Sequence, residues 1–362
     1  MTAFQNFLKR KNIEFSMQRY GIEAMGAMAQ GLFCSLLIGT IINTVANLSN
    51  LAWLKQTVAV IAKQPYTVGG LAMAMSGPAM AIAIGYALKC PPLVLFSLTA
   101  VGFASNALGG AGGPIAVLFV SIITAEIGKA IAGETKIDIL VTPFVTIVVG
   151  SLLSELIAPF LGKTAMGLGE MIMWATLQQP FIMGILVSVF VGIALTLPIS
   201  SAAICAALGL TGLAGGAALA GCSAQMIGFA ILSYSVNHFG GFIAQGLGTS
   251  MLQMPNIVKK PVIWLPATLA SAITGPIATC IFKLEMNGAA INSGMGTCGL
   301  CGPIGVIQGW LKAISAGTKA GISSFDWLAL VMICLILPAV LTWLIGQICF
   351  KLKLFKPEDL KL

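Results

Sequence analysis

Few residues in this chain have types and spacing that could do chemistry, and they crowd into one stretch, Asn292 to Val306, NSGMGTCGLCGPIGV. Cys298 and Cys301 have the Cys-x-x-Cys spacing of a metal or redox pair. A structural zinc site needs four ligands, yet no second cysteine pair or histidine pair accompanies them, and His238 is the single histidine of the chain. The glycines are no phosphate-cradling loop either, because no Gly-Lys-Ser/Thr follows them. Neither a metal nor a cofactor is expected. The remaining reading is backbone that must approach something closely.

Two other Gly-rich breaks carry small polar side chains: SNALGGAGGPIAV (105–117), with Asn106, and VNHFGGFIAQGLGTSMLQMPN (236–256), with Asn237, His238, Gln245 and Thr249. The first break and the opening stretch share a pattern, Gly-Gly-Pro-Ile-Ala-Val against Cys-Gly-Pro-Ile-Gly-Val. Pro114 and Pro303 remove backbone donors and the glycines admit unusual dihedrals, so both patterns read as ends of half-helices. Each cluster alone fits close helix packing through small residues. Together, with amides and hydroxyls attached, they point to a polar binding cavity. Neutral hydrogen-bonding groups such as Asn237, Gln245, Asn292 and Thr297, beside an aromatic face from Phe239 or Trp264, suit an uncharged polar solute.

Ionisable candidates are scarce. Glu126 lies one turn from Lys129, so it reads either as a functional carboxylate or as half of an interfacial pair. Glu155 lies near the end of an apolar run, where it can reach water. His238 could relay a proton near neutral pH or serve as a hydrogen-bonded packing residue.

The elements that must position these residues follow from composition. Hydrophobic residues make up 58% of the chain and charged residues 8%, against about a quarter charged in soluble domains. Continuous apolar runs of membrane-crossing length, ~20 residues, recur from Gly26 to Phe350. The expected fold is an all-α polytopic membrane protein, with lipid around it. Roughly ten transmembrane helices are expected at 26–48, 65–87, 91–108, 112–131, 138–160, 181–206, 212–234, 238–254, 261–282 and 326–350. Segment 163–178 reads as an interfacial helix and 284–324 as re-entrant or broken. Residues 1–25 form an N-terminal cytoplasmic segment, 26–350 a single membrane domain and 351–362 a cytoplasmic tail.

The first twenty residues are polar and basic rather than a cleavable signal. The net charge of +8 is spread over loops and tails, so no nucleic-acid partner is expected. Most of the 19 Lys and Arg fall on one side when both termini are placed in the cytoplasm, as the positive-inside rule requires. The nine cysteines lie mostly in apolar runs and read as packing residues. An internal echo, QPYTVGGLAMAMSGPA from Gln64 against QPFIMGILVSVFVGIA from Gln179, suggests two repeats. Such repeats are common in secondary transporters.

The run GGFIAQGLGTSMLQMPNIVKKPVIWLPATLASAITGPIAT (240–279), the following GMGTCGLCGPIGV and the earlier GETKIDILVTPFVTIVVGSLLSE (133–155) resemble the IIC-type membrane components of bacterial sugar phosphotransferase systems, in their perfringolysin-regulator-like branch. The resemblance implies a permease in a bacterial inner membrane that binds a sugar and presents it to a phosphorylated IIB protein. It also implies an elevator-type fold and a homodimer. Gln245, Thr249, Asn292 and Thr297 lie in the matching segments and are expected close to the solute. In this branch the segment reads Met-Gly-Thr-Ser-Gly, so Cys298 takes a small-residue position. No IIA or IIB domain is expected within the chain, and the glucose-type Gly-Ile-Thr-Glu-Pro motif is absent. Two other functions fit the residues: a membrane-bound regulator using the permease fold, and an ion-coupled anion transporter with broken-helix N-termini holding the charge.

Overall fold

Apolar, Gly-rich sequence of this kind must satisfy its backbone internally, and it does so almost entirely as helix. The structure is a computed structural model describing residues 3–49, 51–61 and 63–362. Its elements are α1 (Ala3–Arg10), α2 (Gln18–Ala46), β1 (Ala59–Ile61), β2 (Gln64–Tyr66), α3 (Val68–Ala74), α4 (Ser76–Ala87), α5 (Pro92–Gly109), α6 (Gly113–Ile131), α7 (Asp138–Thr176), α8 (Pro180–Thr196), α9 (Ser201–Ala207), α10 (Gly212–Leu232), α11 (Tyr234–Ile243), α12 (Met254–Lys259), α13 (Pro261–Ile281), α14 (Cys301–Ser315) and α15 (Ser324–Lys351). The antiparallel pair β1–β2 is a small departure from the all-α expectation. Contacts divide the chain into two compact units, Met1–Thr164 and Ala165–Leu362.

Six helices among the described residues are long and apolar enough to cross a membrane, or seven if the bent pair α3–α4 counts as one. This differs from the ten expected spans. One of the six is the stretch Pro92–Ile131, which folds back on itself. Gly110 takes φ +50°, a 3-10 turn follows, and Pro114 opens α6. A Cβ on Gly128, at the end of α6, would lie 2.7 Å from Val94 near the start of α5, so the two helices run antiparallel. Their boundaries match the expected spans at 91–108 and 112–131. The span expected at 181–206 is cut short to Pro180–Thr196, and the one expected at 238–254 does not form. Helix α8 stops at Thr196 before Pro198, and 238–254 breaks into short turns. The segment 163–178 is the continuation of α7, which runs through Pro143 and Pro159.

In the first unit, α4 and α5 touch at bare backbone: a Cβ on Gly77 would lie 2.3 Å from the Gly102 carbonyl oxygen. One end of this unit is tied by charge. The buried Lys129 ammonium donates to the Asn12 and Leu88 carbonyls and pairs with Glu126 at 2.7 Å. Arg19 donates to the same Leu88 carbonyl and to Asn12 Oδ1.

Helix α10 is the axis of the second unit, and 94% of its apolar window is buried. Helices α8, α13 and α15 pack around it. Ser188 Oγ donates to the Ser271 carbonyl and Thr279 Oγ1 to the Pro180 carbonyl, so α8 and α13 are antiparallel. Gly221 allows α8 to approach, because a Cβ there would fall 1.8 Å from the Ser188 carbonyl oxygen.

Candidate functional site

Two chain reversals in the second unit meet beside the middle of α10, and the site is built where they meet. The first occupies residues 233–260 and starts at the C-terminal end of α10. It passes through α11, a π turn Ala244–Gly248 and a 3-10 turn Ser250–Gln253, then returns through α12 to the start of α13. Ser250 Oγ, at its tip, lies 2.8 Å from Thr196 Oγ1. The second occupies residues 284–315 and starts at the opposite end of α10, where Met286 and Gly212 bridge. Ser201 donates to the Gly294 carbonyl. Gly296, with φ +55°, sits where a Cβ would be 2.7 Å from Cys222. After a 3-10 turn at Cys298–Leu300 the chain leaves as α14, with Gly305 against Asn292 and Gly309 against Asn287.

The tips join through one hydrogen bond: the Thr297 hydroxyl donates to the Gly246 carbonyl. Glycine matters more at one of these positions than at the other. A Cβ on Gly246 would be 3.3 Å from Ile227, and Gly296 requires the left-handed region that glycine enters freely. This accounts for the glycines of the opening stretch. They bring backbone against α10 and against the other tip.

Around this junction lies a buried, neutral hydrogen-bond network. Gln225, in the middle of α10, accepts from Trp264 Nε1 at 3.0 Å and from Thr196 Oγ1 at 3.2 Å. Its amide nitrogen reaches Thr268 and Ser271. A second group is continuous along the first reversal: Gln245 donates to Ser233 Oγ at 2.8 Å, Gln253 donates to Gln245 Oε1 at 2.9 Å and Asn256 donates to Gln253 Oε1 at 2.9 Å. Thr249 caps the 3-10 turn through Met251 N. All of these residues are uncharged, so the network suits a ligand presenting hydroxyls.

The structure brings together Gln245, Thr249 and Thr297, all buried, at or beside the tips. Asn237 belongs to the same reversal but pairs with the C-terminal segment. Asn292 is half-buried lower in the second reversal, against Gly305. His238 is exposed at a break in α11, with φ +51° and ψ −157°, and no network bond runs to it among those above. Phe239 is also exposed, whereas Trp264 is bonded into the network. Asn106 and Glu126 belong to the first unit. Asn106 reaches Ser76 at 3.4 Å, and Glu126 is held by Lys129. Cys298 and Cys301 are both buried.

The sequence reading missed Gln225, Thr196, Ser250, Gln253 and Asn256. Gln225 left a signal, a lone amide inside the apolar run GLAGGAALAGCSAQMIGFAIL. The hydroxyls left none, since Ser and Thr in apolar helices usually satisfy themselves on the preceding turn.

Residues 22–362 match the family described as phosphotransferase system, EIIC. No curated protein and no solved structure matches the chain. Because one family spans all the apolar helices and both chain reversals, the chain belongs to the EIIC membrane components of the phosphotransferase system.

Proposed function

We propose that the chain is a permease for a neutral sugar, held between the two reversals of the second unit by Gln225, Gln245, Thr249 and Thr297. The observation that carries this reading is the junction at Thr297 and Gly246, where two broken segments from opposite ends of α10 present uncharged donors and acceptors beside an indole. Irregular backbone at membrane depth is tolerated only where protein or a polar cavity satisfies it. EIIC components work with IIA and IIB proteins, and separate IIB and IIA proteins are the proposed partners. A homodimer and an elevator-type fold, with the second unit carrying the solute, complete the reading.

Eight crossings are proposed. They are the six long apolar helices, with Pro92–Ile131 counted as two antiparallel helices and the bent pair α3–α4 added. The even number keeps both termini on one side, assigned to the bacterial cytoplasm by the charge bias. An internal duplication is supported by the matched glycines. Gly77 meets Gly102 in one unit, and its counterpart Gly192 meets Gly221 in the other.

Uptake into proteoliposomes over a panel of neutral hexoses, with and without phosphorylated IIB and with and without an ion gradient, tests the function. Uptake of a hexose that depends on phosphorylated IIB is the expected result. Uptake that follows only an ion gradient, or an anion, would replace it. A protein that moves none of the panel is not a sugar permease.

A further inference from the structure

The residues after α15 are not a loose tail. The chain turns at Lys353, φ +55°, and doubles back. Phe355 and Leu360 are then buried, with 1% and 0% of their surface exposed. Phe355 packs edge-on against Phe350, with ring centroids 5.1 Å apart. A turn at Pro357–Leu360 is closed by Asp359, which accepts from Lys356 N at 2.8 Å and pairs with Lys260 at 2.8 Å.

What holds this segment is side-chain amides reading its backbone. Asn237 Nδ2 and Gln253 Nε2 both donate to the Leu360 carbonyl, at 2.8 and 2.9 Å. Asn256 Nδ2 donates to the Lys361 carbonyl at 2.9 Å, and Leu362 N donates to Asn237 Oδ1 at 2.9 Å. Contacts to main chain with a few apolar pockets are how extended peptides are bound generally. Gln253 is the link inward, because the amide nitrogen that holds Leu360 also donates to Gln245. Gln245 itself is wholly buried. Lifting the segment would free three amide donors in a groove that leads to Gln245, and hydroxyl oxygens of a solute can accept from the same donors.

We propose that Asn237, Gln253, Asn256 and Lys260 form a peptide-backbone-binding groove that residues 355–362 of the same chain fill, so that the docked segment shuts the Gln245 site to solute until it lifts. The consequence for solute rests on the sugar-permease reading above; the groove and its occupant do not. The ion pair between Lys260 and Asp359 is the latch. Lys260→Glu places two carboxylates together and unseats the segment, and Asp359→Lys in the same chain restores an opposite-charge pair.

The test, in a background with the nine native cysteines replaced, places a reporter in Gln245→Cys, which leaves all four groove residues intact, and follows its labelling by a water-soluble maleimide. Labelling is expected to be at least about tenfold faster in Lys260→Glu than in the parent, as for a segment docked about nine-tenths of the time or more. The charge-swapped double variant returns it to the parental rate, and excess synthetic peptide carrying the same swap, FKPEKLKL, slows it in Lys260→Glu while FKPEDLKL does not. Equal labelling rates in all three proteins would overturn the proposal. Should the reporter variant fail to fold, amide hydrogen exchange of residues 355–362 replaces it. Faster exchange in Lys260→Glu, reversed by the swap, supports docking, and unchanged exchange refutes it. Binding of neutral hexoses is measured in the same variants without the reporter. If labelling responds but no hexose binds to any of them, the sugar reading falls and the groove stands. If hexose affinity is equal with the segment seated and unseated, the segment does not shut the site.

Discussion

Thr297 shows how one side chain can join two distant segments. Its hydroxyl is the donor that joins the two reversals, and no lipid-facing helix could supply it. Thr297→Val keeps the shape and leaves the Gly246 carbonyl without that donor. A buried group left unsatisfied costs about 1–3 kcal/mol, so a lower unfolding temperature in detergent and weaker hexose binding are both expected. Cys298→Ser, one residue away, should keep solute binding if, as proposed, the stretch contributes backbone rather than thiol chemistry. Loss of binding in that serine variant would show that the sulfur matters. Asp359 makes a different residue-scale claim. Lys260, and then the Lys356 N–H, hold its carboxyl below the usual carboxylate range. Because its pKa is lower docked than free, its contribution to docking is complete above about pH 4 and is lost as the pH falls through the docked value. Exchange protection of residues 355–362, corrected for intrinsic rate, should therefore be level from neutral pH to about pH 5 and decline below about pH 4. Asp359→Asn should start lower and show no such decline.

At the scale of elements, glycine sets how near the helices can come. On α10 a Cβ at Gly221 would fall 1.8 Å from the Ser188 carbonyl oxygen. That obstacle is backbone, so only separation of α8 from α10 relieves it. Gly221→Ala is expected to cost about 1–3 kcal/mol as overpacking, read as a fall in thermal stability in detergent. Gly167→Ala on α7 is the control. A Cβ there meets nothing within 4 Å, and alanine is favoured in helix by ~1 kcal/mol, so stability should hold or rise. Equal losses at both positions would mean the close crossing is not what Gly221 serves. The reversals are held differently, by a few long-range bonds such as Thr196 with Ser250 and Ser201 with Gly294. Their positions on α10 therefore depend on residues far away in sequence.

For the molecule as a whole, charge is the basis of the proposed direction in the membrane. In the first unit Arg10, Lys11, Lys89 and Lys129 line one cavity with Glu134. In the second unit Lys260 and Lys356 gather around the docked C-terminal segment. The proposed orientation, which rests on the positive-inside rule, has both clusters in the cytoplasm. With the native cysteines replaced, an impermeant thiol reagent added outside intact cells should label a cysteine introduced at Lys55, and should not label one at Glu134 or Lys356. Labelling at either of those two positions would overturn the orientation and the even number of crossings.

The sequence by itself determined the class of molecule and two of the places where its helices break. Composition forced membrane helices, since so few charged residues cannot cover a soluble surface. Gly110 with Pro114, and Gly299 with Pro303, marked two helix starts, because glycine and proline act through their own dihedrals and missing donors. The family resemblance was legible in short motifs for the same local reason. Only the tertiary structure decided that 238–254 turns back instead of crossing. Its apolar content suits either path, and the choice depends on Ser250 finding Thr196 and on Gln253 and Asn256 finding the carbonyls of Leu360 and Lys361. The same holds for Gln225 and for the C-terminal segment. A lone amide in an apolar helix, or a short charged tail, acquires its role from partners tens to more than a hundred residues away, and periodicity carries no record of such pairings.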